Sequence, residues 1–135
     1  MQQTFSCFLV DNDEEDQEIF QMALQEVDPA VNCTVACNGV EALQMLDAMA
    51  EPPSFIFIDM NMPLMNGKQC LVEIRSRQRF SEVPVYMYST SADPRSIAEV
   101  RTMGATDFIV KPSSFNELTV LLQGLLKAQN PAYGS

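Results

Sequence analysis

Apolar runs short enough to be strands alternate with stretches of helical periodicity along the whole 135-residue chain, and this alternation restricts the fold more than any other feature. Strands separated by helix-length segments cannot form hairpins and pair in parallel, so the pattern predicts an α/β domain. No linker or repeat interrupts it, and the length suits one domain.

The first run, Phe5 to Val10, leads into an acidic segment that opens a helix from about Glu14 to Val27, with Ile19, Phe20, Ala23, Leu24 and Val27 on one face. Acidic residues in a first turn complement the helix dipole. A short strand near Val31 to Ala36 precedes the Asn38-Gly39 turn and a helix from Val40 to Met49, which turns Ala42, Leu43, Leu46 and Met49 inward and stops at Pro52-Pro53. Phe55-Ile56-Phe57-Ile58 is uninterrupted, as expected of a central parallel strand buried on both faces. After the turn Pro63-Leu64-Met65-Asn66-Gly67 come a helix through Cys70, Leu71 and Ile74 and a strand from Val83 to Tyr88. Asp93-Pro94 reads as N-cap and first helical residue of a helix to about Met103. Asp107 to Val110 supplies a fifth strand, and Ser114-Phe115-Asn116-Glu117 fits a capping box that opens a last helix to about Ala128. Five strands and five helices are expected.

Charge narrows the function. Met1 to Gly67 holds 12 acidic residues and no Lys or Arg, while the rest holds 6 acidic and all 8 basic ones. Phosphate backbones are bound by clustered Lys and Arg, so nucleic acid is not an expected direct partner. No basic segment precedes Lys68, as a secretory signal requires, and no apolar run is long enough to span a bilayer, so a cytoplasmic location is expected. The absence of His removes the commonest general base and metal ligand. Cys7, Cys33, Cys37 and Cys70 form no CxxC pair and read as buried free thiols, and the nine Met read mostly as core.

Four of the five strands end in a polar residue able to do chemistry: Asp11, Asp59, Ser89 and Lys111. In open parallel sheets the carboxyl ends of the strands form the ligand crevice, so two carboxylates, a hydroxyl and a lysine are expected on one rim. Wet loops after strands would account for any one of these, but poorly for the set. That set matches phosphoryl transfer to a carboxylate. Asp59 is the expected nucleophile, Asp11 helps hold a Mg²⁺ ion, Lys111 sets a point charge against the phosphoryl group, and the Ser89 hydroxyl bonds one of its oxygens.

From about Ser6 to Gln129 the chain resembles the receiver domain of two-component response regulators, a resemblance carried by two segments. Phe57-Ile58-Asp59-Met60-Asn61-Met62-Pro63-Leu64-Met65-Asn66-Gly67 is similar to the family's phosphoacceptor strand and turn, and Gly104-Ala105-Thr106-Asp107-Phe108-Ile109-Val110-Lys111-Pro112 to its lysine segment. The resemblance implies a flavodoxin-like, doubly wound sheet of order 2-1-3-4-5, phosphorylation of Asp59 by a histidine kinase or phosphotransfer protein, and a Mg²⁺ site using Asp11, Asp59 and the backbone carbonyl of Asn61. It also implies a cis peptide between Lys111 and Pro112. At most slow self-phosphorylation and self-dephosphorylation are expected, rather than enzymatic turnover.

The chain departs from the family where a second acidic residue usually follows Asp11. Asn12 offers only an amide oxygen there, which predicts weaker Mg²⁺ binding; a one-residue shift using Asp13 is the alternative. Thr90, larger than the residue typical after the family's Ser or Thr, narrows access to the phosphoryl group. Phe108 stands where many receivers carry an aromatic residue that reports phosphorylation, and reads equally as an ordinary strand aromatic.

The stretch 130–135 reads as a short tail, so the sequence predicts a single stand-alone receiver, similar to chemotaxis regulators, that signals by docking an unknown downstream protein. In the family the docking face is the fourth helix, fifth strand and fifth helix. On the last helix Phe115, Leu118, Leu121, Leu122, Leu125 and Leu126 form the inward stripe and Val120 lies opposite. Two rival readings stand beside this one. The first is a phosphorylation-independent interaction module, motivated by Asn12. The second is a haloacid-dehalogenase-type phosphatase, which expects its nucleophile on the first core strand and an Asp where Asn61 stands.

Overall fold

The structure, a computed structural model, describes residues 5–62 and 64–129. Five strands, β1 (Ser6–Val10), β2 (Asn32–Ala36), β3 (Phe55–Asp59), β4 (Val85–Ser89) and β5 (Asp107–Val110), alternate with five α-helices. The helices are α1 (Glu14–Val27), α2 (Gly39–Ala48), α3 (Gly67–Arg75), α4 (Pro94–Thr102) and α5 (Phe115–Gln129). All strand pairs are parallel and the order is β2-β1-β3-β4-β5, as expected.

Side chains alternate across each strand, and the two faces bury different cores. Phe8, Val10, Ile56, Ile58, Val85 and Met87 pack with Ala42 and Leu46 of α2, Cys70, Leu71 and Ile74 of α3 and Val100 of α4. Cys7, Leu9, Phe55, Phe57, Tyr86, Tyr88 and Ile109 face Phe20, Ala23 and Leu24 of α1 and Leu118, Leu122 and Leu126 of α5. Phe57 is the hub of the second core. Its ring centroid lies 5.0 Å from Phe20, 5.8 Å from Phe55 and 5.5 Å from Tyr88, all edge-on. Truncating such a side chain costs about 3–5 kcal/mol, so the strand carrying Asp59 stands on a rigid platform.

Helix starts follow local chemistry. Asp13, Asn38 and Asp93 cap α1, α2 and α4, and Asn66 and Gln69 bond each other's backbone N–H at 2.9 and 3.0 Å to form a full capping box at α3. The box expected at α5 is half formed. Ser114 Oγ accepts from Glu117 N at 3.1 Å, but the Glu117 carboxylate takes the Ser113 hydroxyl instead. Phe115 departs from the expected stripe and is 42% exposed, because it is the first residue of α5 and Leu118 is the first to meet the sheet. Ile19 is likewise exposed, and Val120 faces solvent as expected. A 3₁₀ turn at Gln78–Phe80 was not expected from the sequence. Cys7 and Cys70 are buried free thiols, whereas Cys33 is half-buried and Cys37, just past β2, is exposed. No cis peptide occurs among the described residues, which corrects the expectation at Lys111–Pro112. Trans is the lower-energy isomer of an X–Pro bond by about 0.5–1 kcal/mol, and the chain leaves β5 with Lys111 N donating to Ser89 O at 2.7 Å. Pro63 and the stretch 130–135 lie outside the described residues.

Candidate functional site

Strand register brings the polar strand ends together. Leu9 pairs with Phe57 and Val10 with Ile58, so one step further Asp11 and Asp59 stand on neighbouring strands. Both stand two residues past side chains of the α1/α5 face, Leu9 and Phe57, as Lys111 stands two past Ile109. Lys111 reaches back across β4, its Nζ 5.2 Å above the Tyr88 ring, within the range of a cation–π contact. The ammonium then lies 3.2 Å from Asp11 Oδ2 and 3.5 Å from Asp59 Oδ2.

Each carboxylate is also held by its own loop. Asp11 Oδ1 accepts from Asp13 N at 2.9 Å, and Asp59 Oδ1 from Asn61 N at 3.1 Å, which leaves the Oδ2 atoms facing the lysine. Gln17 Nε2 donates to Asp11 O at 2.6 Å and ties the first turn of α1 to the end of β1. Burial, with the Asp59 charge adding, pushes Asp11 up to about 6 against the opposing pull of the Asp13 N–H and Lys111. Burial opposes the Lys111 charge, but the bond to Asp16 and the attraction of Asp11, Asp59 and Asp16 outweigh it and raise its pKa. The rim is therefore rich in negative charge and short of cation.

The expected residues divide between the two faces. Asp11, Asp59 and Lys111 meet. Ser89 is buried at the end of β4 on the side of Val85 and Met87, and its Oγ accepts from Ser91 N at 3.3 Å rather than joining the carboxylates. Phe108 pairs with Met87 and packs half-buried on that same side. Asn12 is exposed, as is Thr90. The residue missed from the sequence is Asp16, whose Oδ2 lies 2.8 Å from Lys111 Nζ and makes the shortest contact of the three. Its spacing from Phe20 and Ala23 put it on the inward stripe of α1, which was the available signal. Among the described residues no three acidic, His or Cys side chains surround a position for a metal ion; the three carboxylates converge on the ammonium.

Gly67 closes the rim from beneath. A Cβ there would lie 2.5 Å from Asp59 O and 2.7 Å from Met60 Cα, so only glycine lets α3 begin against the end of β3. Leu64, in the same loop, is 84% exposed with φ of 68°, a left-handed conformation unfavourable for a side chain. A groove of about 600 Å³ lined by Met22, Leu24 and Cys33, among others, shares no residue with this cluster. Asp11 is fully buried, while Asp59 and Lys111 keep 10% and 11% of their side chains exposed, so a group presented by another molecule would meet the cluster at those two.

Fold and rim together define a class: doubly wound parallel α/β proteins that gather an acid pair and a lysine at the carboxyl edge of the sheet. Within that class, the model of the response regulator receiver domain matches residues 7–123, and the chain belongs to this family. It is 31% identical over 103 residues to Protein PilG of Pseudomonas aeruginosa, covering 73% of each chain. To chemotaxis protein CheY1 of Helicobacter pylori it is 39% identical over 75 residues, 56% of this chain and 60% of that one. The match to the rice two-component response regulator-like PRR73, 29% identical, takes in 98% of this chain but 17% of the relative, so the chain spans less than two thirds of these last two relatives. Among solved structures, the phosphorylated cyanobacterial phytochrome response regulator RcpA superimposes with a TM-score of 0.84 at 25% identity over 93% of both chains. CheY4 of Vibrio cholerae gives 0.79 at 25% identity, over 90% of this chain and 98% of that one.

Proposed function

We propose that the chain accepts a phosphoryl group on Asp59 from a histidine kinase or histidine phosphotransfer protein and signals by docking a further protein. The observation that carries this reading is the Lys111 ammonium set against the Oδ2 atoms of Asp11 and Asp59 at the edge of the sheet. Asp59 Oδ2 attacks the donor's phosphorus. A P–O bond forms, the donor's P–N or P–O bond breaks, and the electron pair leaves with the imidazole or carboxylate. Lys111 is placed to balance charge on the phosphoryl oxygens, which is electrostatic stabilisation by a fixed cation.

The donor set fits Mg²⁺, which takes a few hard oxygens and keeps waters. Two carboxylates share the rim, one of them fully buried and with its pKa raised by burial and its neighbour's charge, so a second cation has a clear electrostatic role there. Asp11, Asp59 and the Asn61 carbonyl would hold the ion, with Asn12 offering its amide oxygen. When bound, it supplies neutralisation of the phosphoryl oxygens.

The reading makes Ser89 and Phe108 the switch: the hydroxyl turns toward the phosphoryl group and Phe108, on the same face, repacks beside α4. It also makes the protein a signalling domain rather than an enzyme, places it in the cytoplasm beside its donor, and gives it no direct nucleic-acid partner. No helix among the described residues is long and apolar enough to cross a membrane. Asn61, where a phosphatase would need a second acid, spends its backbone N–H on Asp59 and brings no carboxyl group.

Incubation with a small acyl phosphate and Mg²⁺, followed by intact-mass measurement, tests the reading. One phosphoryl adduct is expected on the wild type and none on Asp59→Asn. A wild type without adduct would favour a phosphorylation-independent module, and rapid turnover of a phosphomonoester would favour a phosphatase.

A further inference from the structure

Asp16 has no part in the reaction just described, yet it holds the Lys111 ammonium more closely than either rim carboxylate does. Nζ lies 2.8 Å from Asp16 Oδ2, 3.2 Å from Asp11 and 3.5 Å from Asp59. An ammonium has three protons, and here three carboxylates take them. The lysine is thus drawn toward α1 and held most loosely at Asp59, the residue it is to serve. We propose that Asp16 is a positioning residue that competes with the phosphoryl group for Lys111, so that it slows phosphorylation of Asp59 and sets how readily the domain is charged.

The backbone turn that carries Asp16 is anchored to the end of β1. The Asp16 backbone N–H donates to the Asp13 cap at 3.1 Å, and the next residue, Gln17, ties the same turn to Asp11 O. Movement of Nζ toward a phosphoryl group on Asp59 therefore lengthens the Asp16 contact. The shift in charge placement is visible in the sequence too. Position 12 is neutral and exposed, and the carboxylate that engages the rim stands four residues on, one helical turn later, where it faces the ammonium. Asp16 is 37% exposed against 11% for Lys111, so the pair is partly wet and its competition is moderate.

This inference rests on the receiver reading, and its test separates the two. Phosphorylation rates of the full chain with a small acyl phosphate and Mg²⁺ are compared for wild type, Asp16→Asn, Asp16→Ser, Asp16→Glu and Glu15→Gln. Both neutral Asp16 variants are expected to react about three- to fivefold faster than wild type, the size of a partly exposed ion pair. Asp16→Glu should fall back toward wild type. Glu15→Gln removes the same charge from an exposed neighbour, and should stay near wild type because it leaves Lys111 untouched. An adduct that forms on wild type at the rate seen in Asp16→Asn overturns the Asp16 role alone, as does an equal acceleration in Glu15→Gln. No adduct on wild type overturns the receiver reading and this inference with it.

Discussion

Gly67 and Gly124 both lie in helices, and replacing each by alanine is expected to move stability in opposite directions. Helical propensity alone favours alanine by up to about 1 kcal/mol at either site. At Gly124, in the middle of α5, a Cβ meets nothing within 4 Å, so the whole gain of about 0.8–1 kcal/mol is expected. At Gly67 a Cβ would stand 2.5 Å from Asp59 O and 2.7 Å from Met60 Cα, and both obstacles are backbone. Gly67 N also donates to Met60 O at 3.1 Å, so relief by opening the loop loses that bond. Overpacking costs about 1–3 kcal/mol, and because both obstacles are backbone the upper part of that range applies, about 2–3 kcal/mol, which leaves Gly67→Ala a net 1–2 kcal/mol less stable after its helical gain. The two variants should therefore differ by about 2–3 kcal/mol. That is a separation near 10 °C in midpoint for a chain of this size, taking roughly 3–5 °C per kcal/mol. The chain has no Trp, so far-UV circular dichroism through urea and thermal unfolding is the assay. Adduct yield with an acyl phosphate gives a second readout, which should drop for Gly67→Ala because the clash bears on Asp59 itself. Equal stabilisation of both variants would show that the approach of α3 to β3 is not tight, and would refute the reasoning.

Asp11 titrates near 6 in the folded protein against an ordinary 3.8, so the unfolded chain loses that proton first and stability falls as pH rises from about 4 to about 6. Asp11→Asn should accordingly be more stable than wild type by about 1–3 kcal/mol near pH 7.5 and by little near pH 4, in urea melts without Mg²⁺; an equal gap at both pH values would defeat this. Asn12→Asp adds a carboxylate beside the proposed ion and should tighten Mg²⁺ binding about tenfold by calorimetric titration, whereas unchanged affinity would acquit Asn12. Leu64→Gly relieves a left-handed side chain worth about 1–2 kcal/mol at the cost of a freer unfolded chain, so a gain of about 0.5–1 kcal/mol is expected in the same melts, and a loss would contradict it.

The order of the elements and the convergence of Asp11, Asp59 and Lys111 were legible because each rests on a short-range pattern. Strands alternate with helices, and polar residues end the strands of a parallel sheet. What was not legible depends on contacts between residues far apart in the chain. The Arg75 guanidinium takes the carbonyls of Phe80, Val83 and Gly104, each at 2.8 Å, and so holds the Gln78–Phe80 turn, the approach to β4 and the turn before β5 together. Nothing in the sequence around Arg75 singles it out. Asp16 is the intermediate case. It read as one of six acidic residues between Asp11 and Glu18, yet its spacing from Phe20 marked it as the one that turns inward. The split between faces is set by strand parity: Asp11, Asp59 and Lys111 share the parity of Leu9, Phe57 and Ile109, whereas Ser89 shares that of Val85 and Met87, so residues that all end strands fall on opposite sides of the sheet.

That alternation has an evolutionary consequence. Asp11, Asp59 and Lys111 each stand two residues past a side chain buried under α1 and α5, namely Leu9, Phe57 and Ile109. A strand thus behaves like a reading frame of period two. Loss or gain of one residue inside β1, β3 or β5 would send the functional group to the opposite side together with half the core. Lineages descended from such a domain can lengthen the turns at the amino ends of the strands, but insertions within these strands should be rare. The five residues of β3 are in this sense as constrained in number as in kind.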